Sequence, residues 1–383
     1  MIYLNNAATS WPKPETVYQT ADVFLRNLSG SVNRGVSKGA LDAGLAVLET
    51  RELLAAFFNI REPEKIIFIG NATQALNLAL QGLLKKGDHV IISSMEHNAV
   101  VRPLYALQEK GIDFSVVSCS ADGTLDPGAV ERAIEPHTRL ICLTHASNVT
   151  GTIMPIVEVG EIARRHRLQY LVDTAQTAGE IPIDVEAAGI TLLAFTGHKG
   201  LLGPPGTGGL YIRDPDVVSP LIYGGTGSHS ELPEQPEVLP DKYESGTINA
   251  PAIAALGAGI KFIQETGLEK IRRHTLELTA MLLEGLKGMP GVTVYGPVQP
   301  EKRVAVVSIN IRGLGAGEAA IWLAEHYDIV TRSGLHCAPL AHRTIGTLNT
   351  GTLRLSPGYF NTPAEIETAL EAIKKLIEVV GGA

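Results

Sequence analysis

Between Ile66 and Phe195, short apolar runs alternate with amphipathic stretches of helical length, and this alternation constrains the fold more than any other feature. The runs lie at 66–69, 89–93, 112–118, 140–144, the stretch ending at Asp173, and 192–195. Helices are predicted over 74–83, after Asn98, and over 158–166. Continuous apolar strands separated by helices pair in parallel and are covered on both faces. The carboxyl ends of such strands share one edge, where a ligand crevice forms.

Residues able to do chemistry fall at that edge. Thr196-Gly197-His198-Lys199 follows a buried run and precedes a Gly- and Pro-rich turn. A lysine there is either an ordinary solvated charge or a desolvated nucleophile of lowered pKa. It is not a Walker lysine, because Gly200 follows it. Asp173 ends the preceding strand, 26 residues upstream, so a carboxylate and an amine come from adjacent strand ends. A lysine for covalent attachment and a carboxylate for a pyridinium nitrogen are the pair that pyridoxal phosphate requires. The turn Gly70-Asn71-Ala72-Thr73 joins a strand to a helix N-terminus, which makes it either an anion site or simple capping. His97 and Asn148 also lie just past strand ends. His97 is a structural histidine, a flat surface for an aromatic ring, or a proton shuttle.

The chain has 383 residues, a net charge of −8 and 45% hydrophobic residues, enough for two domains. Lack of a basic run argues against nucleic acid, and no apolar run is long enough to span a bilayer. No signal-peptide pattern opens the chain, and three cysteines without metal spacing fit a reducing compartment, so cytoplasm is expected.

The N-terminal 14 residues read as an extended arm, followed by helices over 15–27 and 40–58. Between those helices, Arg34 is either a solvated loop charge or an anion contact. Residues 224–241 form an exposed, aperiodic loop leading to Ser245-Gly246-Thr247. Beyond about residue 261 the pattern changes to α+β, with strands at 292–295, 304–311, 329–332 and 353–355. Cys337 sits in a polar loop beside His336, five residues after Arg332. Positive charge from these two neighbours is expected to favour its thiolate, and Ser333-Gly334 to let the loop swing. Arg354 on a strand is a candidate clamp for a carboxylate.

Taken together, Tyr3-Leu4-Asn5-Asn6-Ala7-Ala8-Thr9, Met95-Glu96-His97-Asn98, Asp173-Thr174-Ala175-Gln176, Thr196-Gly197-His198-Lys199, Gly246-Thr247 and Arg332-Ser333-Gly334-Leu335-His336-Cys337-Ala338 resemble the cysteine desulfurases of the class V aminotransferase family, second group. The resemblance implies a fold type I α/β enzyme with a mainly parallel seven-stranded sheet over residues 15–260. A smaller α+β domain would comprise residues 1–14 and 261–383. It implies pyridoxal 5'-phosphate on Lys199, with Asp173 at the ring nitrogen, Gln176 at the ring hydroxyl and His97 stacked on the ring. Asn71, Ala72, Thr73, Thr196 and His198 would hold the phosphate, joined by Thr247 of a second subunit. Arg354, with Asn148, Ala7, Arg34 and Arg332, would bind L-cysteine, and Cys337 would take its sulfur as a persulfide. A homodimer and a sulfur-accepting partner protein, for iron–sulfur assembly or other delivery, are also implied. Asn5 stands where the family usually has Asp, and Asn33 where His is common. The competing readings are selenocysteine lyase, another aminotransferase or lyase in which Cys337 is incidental, and a scaffold without chemistry.

Overall fold

The computed structural model describes residues 1–27, 32 and 37–381; Asn33 and Arg34 lie outside them. The chain runs β1 (Ile2–Tyr3), α1 (Glu15–Asn27), α2 (Lys38–Phe58), β2 (Ile66–Ile69), α3 (Ala72–Leu83), β3 (His89–Ser93), α4 (Asn98–Gln108), β4 (Asp113–Val117), α5 (Pro127–Arg132), β5 (Thr138–Thr144), α6 (Ile156–Arg165), β6 (Gln169–Asp173), β7 (Leu192–Thr196) and β8 (Gly208–Ile212). It continues through α7 (Ala250–Thr266), α8 (Leu268–Leu286), β9 (Val292–Tyr295), β10 (Val307–Ile311), α9 (Ala316–Tyr327), β11 (Ile329–Val330), β12 (Arg332–Gly334), α10 (Pro339–Thr344), β13 (Thr352–Leu355) and α11 (Pro363–Gly381).

Seven strands form the large sheet in the order β2-β8-β7-β6-β5-β3-β4. Their side chains alternate between two cores, as a period of two requires. Ile91, Ile141, Val172, Leu193 and Phe195 enter one core with Val47, Leu54 and Phe58 of α2 and Ile162 of α6. Val90, Ile92, Leu140, Cys142, Leu171 and Ala194 enter the other with Leu76 and Leu80 of α3 and Leu104 of α4. All strands but β8 point the same way, so the ends of β2, β3, β5, β6 and β7 open on one edge.

The sequence reading did not contain β8, because Gly208-Gly209 reads as a turn. The glycines are needed: a Cβ on Gly208 would lie 2.7 Å from the Phe195 carbonyl and 2.9 Å from Asn71 Cα. The six-residue helices α5 and α10 were also unread; each opens on proline and is too short to show a period. The expected strand over 304–311 is regular only from Val307.

A four-stranded antiparallel sheet, β12-β13-β10-β9, packs under α8, α9 and α11 around Leu282, Leu323, Leu355 and Ile373. The N-terminal arm returns to this region, where β1 pairs in parallel with β11. Arg303 ties it to the large sheet. This side chain is fully buried and donates to the carbonyls of Pro297 at 2.8 Å, Tyr295 at 2.9 Å, Val306 at 2.8 Å and Thr150 at 2.5 Å. Thr150 belongs to the turn after β5, and Gly151 beside it (φ 75°) has no room for a Cβ against Val304 and Val306. Arg303→Met should therefore lose on the order of 3 kcal/mol of stability, since it orphans several buried carbonyls. Urea unfolding would measure it; an unchanged midpoint would refute the tie.

Candidate active site

Each member of the crevice is delivered by a strand end or a helix start. Asn71 caps α3 and accepts from Gln74 N–H at 3.0 Å. Ala75 N–H reaches the Asn71 carbonyl at 3.1 Å. Among the described residues, the N–H groups of Ala72 and Thr73 have no partner and offer an anion cradle strengthened by the helix dipole. A cleft of about 480 Å³ is lined by Asn71, Ala72, Thr73, His97, Asn148, Asp173, Gln176, Thr196, His198 and Lys199. The structure thus brings together the cofactor candidates of the sequence reading, except Thr247. Thr247 is exposed and does not line the cleft of its own chain.

Asp173 and Lys199 come from neighbouring strands, with Asp173 opposite Ala194 in the β6–β7 register. Desolvation lowers the Lys199 amine to about 8, opposed by attraction from Asp173 and aided by Arg354 and Arg332. Desolvation raises the Asp173 carboxyl, opposed by the Ala175 N–H at 2.9 Å and by Lys199. His97 caps α4; its Nδ1 accepts from Ala99 N–H at 3.0 Å, and burial with Lys199 nearby lowers its pKa to about 4. It is therefore neutral at pH 7, and its proton sits on Nε2.

A second cavity, of about 580 Å³, also touches Lys199 and is lined by Ala7 and Gln176, whose Nε2 donates to the Ala7 carbonyl at 3.1 Å. The arm clamps the Lys199 turn. Ser10 Oγ donates to the Lys199 carbonyl at 2.8 Å, and Lys13 Nζ to the His198 carbonyl at 2.8 Å. Lys13 was not among the sequence candidates, because its contact spans 185 residues. Glu96 was likewise unassigned. Its buried carboxyl accepts from Ser93 Oγ at 2.6 Å and Thr144 N–H at 2.9 Å, and burial raises its pKa to about 8.

The small sheet supplies the opposite wall. Arg332 and Arg354 face each other directly across β12 and β13. Like charges at opposed positions repel, so the pair suits an anionic ligand. Arg354 is buried, bonded to the Asn148 carbonyl at 2.9 Å and Asn5 Oδ1 at 3.1 Å, and its Nε has no partner among the described residues. Asn5 accepts without neutralising, and burial beside Arg332 lowers the Arg354 pKa to about 9.

Cys337 is exposed, and it departs from the sequence reading twice. His336 adds no positive charge: it is buried against Thr352 Oγ1 at 3.0 Å, and burial pushes its pKa down to about 2. The cation that does reach the thiol is Arg332, whose Nη2 lies 3.5 Å from Sγ. Ser333-Gly334 is no free hinge either, since both residues are paired to β13. The loop is held instead: Asn148 Nδ2 donates to the His336 carbonyl at 2.6 Å, and Asn98 N–H to the Cys337 carbonyl at 2.8 Å. His336 and Cys337 both take left-handed backbone (φ 49° and 61°), which costs roughly 1–2 kcal/mol per residue without such anchors.

An amine, a buried carboxylate, an anion cradle and a neutral imidazole around one cleft fit pyridoxal 5'-phosphate in chemistry. Among the described residues no cluster of three metal-binding side chains occurs, and no helix is long and apolar enough to cross a membrane.

The fold and this donor set define a class V aminotransferase-type enzyme, and the model of that family, "Aminotransferase class-V", matches residues 2–369. The chain belongs to this family. It is 36% identical to a probable cysteine desulfurase of Methanothermobacter thermautotrophicus, over 98% of this chain and 94% of the relative. It is 31% identical to a cysteine desulfurase of Salmonella agona, over 100% of this chain and 94% of the relative. Among solved structures, the apo cysteine desulfurase of Thermococcus onnurineus superposes with a TM-score of 0.92 at 33% identity, covering 98% of this chain and 94% of that one.

The Lys199 amine reacts only when neutral, and below pH 8 it is mostly protonated. In cofactor-free protein, its acylation by acetic anhydride should rise with pH and level off just above about 8, while exposed lysines keep rising towards their ordinary pKa near 10.4. Peptide mass spectrometry reads both; a Lys199 profile like that of the exposed lysines would contradict the desolvation argument.

Proposed function

We propose that this chain is a pyridoxal-phosphate-dependent cysteine desulfurase, converting L-cysteine to L-alanine and leaving the sulfur on Cys337. The observation carrying this reading is the meeting of Lys199 and Asp173, from the large sheet, with Cys337 and the opposed Arg332 and Arg354 from the small one. When bound, the cofactor would draw electron density from the substrate's Cα and weaken the bonds around it. Lys199 would hold it, and Ala72, Thr73, Asn71, Thr196 and His198 would cradle its phosphate. Asp173 would keep a proton on the ring nitrogen, Gln176 would meet the ring hydroxyl, and His97 would lie against the ring face.

Arg354 and Arg332, with Asn148 and Ala7 beside them, would orient the substrate carboxylate. Lys199, poised near 8, takes and returns a proton at Cα. The Cys337 thiolate then attacks the substrate sulfur. An S–S bond forms at Cys337 as the Cβ–S bond breaks; its electron pair stays with carbon, which is protonated and leaves as alanine. The exposed thiol, steadied by Arg332, is open to a following acceptor.

The same reading assigns residues 15–260 to the cofactor-holding unit and 1–14 with 261–383 to the smaller one. It includes a twofold dimer, supported by the exposed Thr247 loop and the exposed Leu41, Leu45 and Leu48 along α2. It also places the enzyme in the cytoplasm, delivering sulfur to iron–sulfur assembly or a similar sink.

Cys337→Ser tests the reading, because it leaves Lys199, Asp173 and Arg354 in place. The variant should bind cofactor normally yet release alanine from L-cysteine at least about a hundredfold more slowly. Alanine at the parent rate would assign the thiol no part in turnover and return the aminotransferase or lyase reading.

A further inference from the structure

Glu96 is completely buried, one residue before His97, and the proposed chemistry leaves it without a task. Its bonds show what it replaces. β3 pairs with β5 as far as Ile92 opposite Cys142, and then turns away. Thr144, two residues further along β5, therefore meets no β3 carbonyl on that side. Glu96 Oε1 takes the vacant place, accepting from Thr144 N–H at 2.9 Å and from Ser93 Oγ at 2.6 Å. On its other side, Thr144 stands opposite Asp173 in the β5–β6 register. One carboxyl thus ties the last residue of β3 to the last residue of β5, beside the strand that ends in Asp173.

The turn that Glu96 anchors reaches the site through its neighbours. His97 lines the cleft, and Asn98 N–H holds the Cys337 carbonyl at 2.8 Å. Ser94 Oγ lies 2.9 Å from Thr344 Oγ1 at the end of α10, the helix that follows the Cys337 loop.

The geometry also selects a protonation state. Both bonds fall on Oε1, the pattern of a carbonyl oxygen with two lone pairs. Oε2 is buried, and no donor among the described residues reaches it. A carboxylate with one bare buried oxygen carries its desolvation penalty uncompensated. Asp173 adds repulsion of the same sign, and the Cys142, Cys119 and Tyr170 side chains that sense Glu96 supply no cation. A second negative charge would raise the Asp173 carboxyl further and favour its protonation. Asp173 would then have no charge with which to hold a ring-nitrogen proton.

We infer that Glu96 is a positioning residue that works as the neutral acid. It stands in for a strand partner of Thr144, sets the His97 turn and the Cys337 anchor against Asp173, and spares Asp173 a second anion. The inference rests on the desulfurase reading for its effect on turnover, and on the strand ends for its geometry.

Three variants of the holoenzyme separate the possibilities. Glu96→Gln keeps a neutral side chain of the same length whose Oε1 can accept both bonds, and should release alanine from L-cysteine within about twofold of the parent. Glu96→Asp keeps the acid but is one methylene short of Thr144. It should lose about tenfold or more, chiefly in kcat, because His97 and Cys337 lose register. Glu96→Leu should lose as much. Hydrogen exchange reads the geometry apart from turnover. The Thr144 and Asn98 amides should exchange as slowly in Glu96→Gln as in the parent, and about tenfold faster in Glu96→Asp and Glu96→Leu. In the infrared, the parent at pH 7 should show the C=O band of a protonated carboxylic acid that Glu96→Gln lacks. A fully active Glu96→Asp beside a crippled Glu96→Gln would overturn the inference, since charge would then be what matters. Parent-like amide exchange in Glu96→Leu, or a parent without the protonated-acid band, would overturn it too. A parent that makes no alanine would overturn the desulfurase reading alone, because exchange and the infrared band still decide the part of Glu96.

Discussion

The amine of Lys199 stays poised near 8 only while water is kept from the ends of β6 and β7, and much of the molecule serves that exclusion. The strands place Asp173 and Lys199 side by side, but strands alone leave the edge open to solvent. The N-terminal arm closes it. Thr9, Ser10 and Lys13 hold the carbonyls of His198 and Lys199, while Asn6 and Ala7 bond to Ser356 just beyond Arg354. One extended segment thus links the lysine turn to the strand that carries Arg354. Arg303 fixes the same two regions from behind through the Thr150 turn, two residues after Asn148. The geometry of the site is in this way coupled to the packing of the two sheets.

The thiol is governed by a different balance. An exposed loop would cost little to order, yet two successive left-handed residues make this one expensive, and the structure offsets that with hydrogen bonds from Asn148 and Asn98 and a buried imidazole. The result is a short, held presentation of Cys337 against Arg332. Under the proposed function, sulfur transfer would depend on an acceptor reaching the thiol more than on the thiol travelling outward.

Much of this was legible in the sequence because parallel strands concentrate chemistry at their ends. A short apolar run followed by a polar residue marks both the strand and the site, as Tyr170-Leu171-Val172-Asp173 does. What escaped reading was set by distance or by context. β8 exists because Asn71 and Phe195 leave room only for glycine, and nothing local in Gly208-Gly209 announces a strand. His336 looks like a cation beside Cys337, but its partner Thr352 is 16 residues away and its burial comes from the small sheet. Ser333-Gly334 looks like a hinge until β13 pairs with it. Lys13 carries no motif at all.

The central claim is that sulfur passes through one particular thiol of the three, and the environments of the cysteines make that sharply testable. Burial pushes the Cys119 thiol up to about 11, and pushes Cys142, deep in the core, well above its ordinary value. Only Cys337 is exposed. Peptide mass spectrometry of holoenzyme after a single turnover with L-cysteine is the most direct measurement. The account predicts one added sulfur on the Cys337 peptide, in step with alanine formed, and none on Cys119 or Cys142. Alanine without sulfur on Cys337, or sulfur on either of the other two, would contradict it.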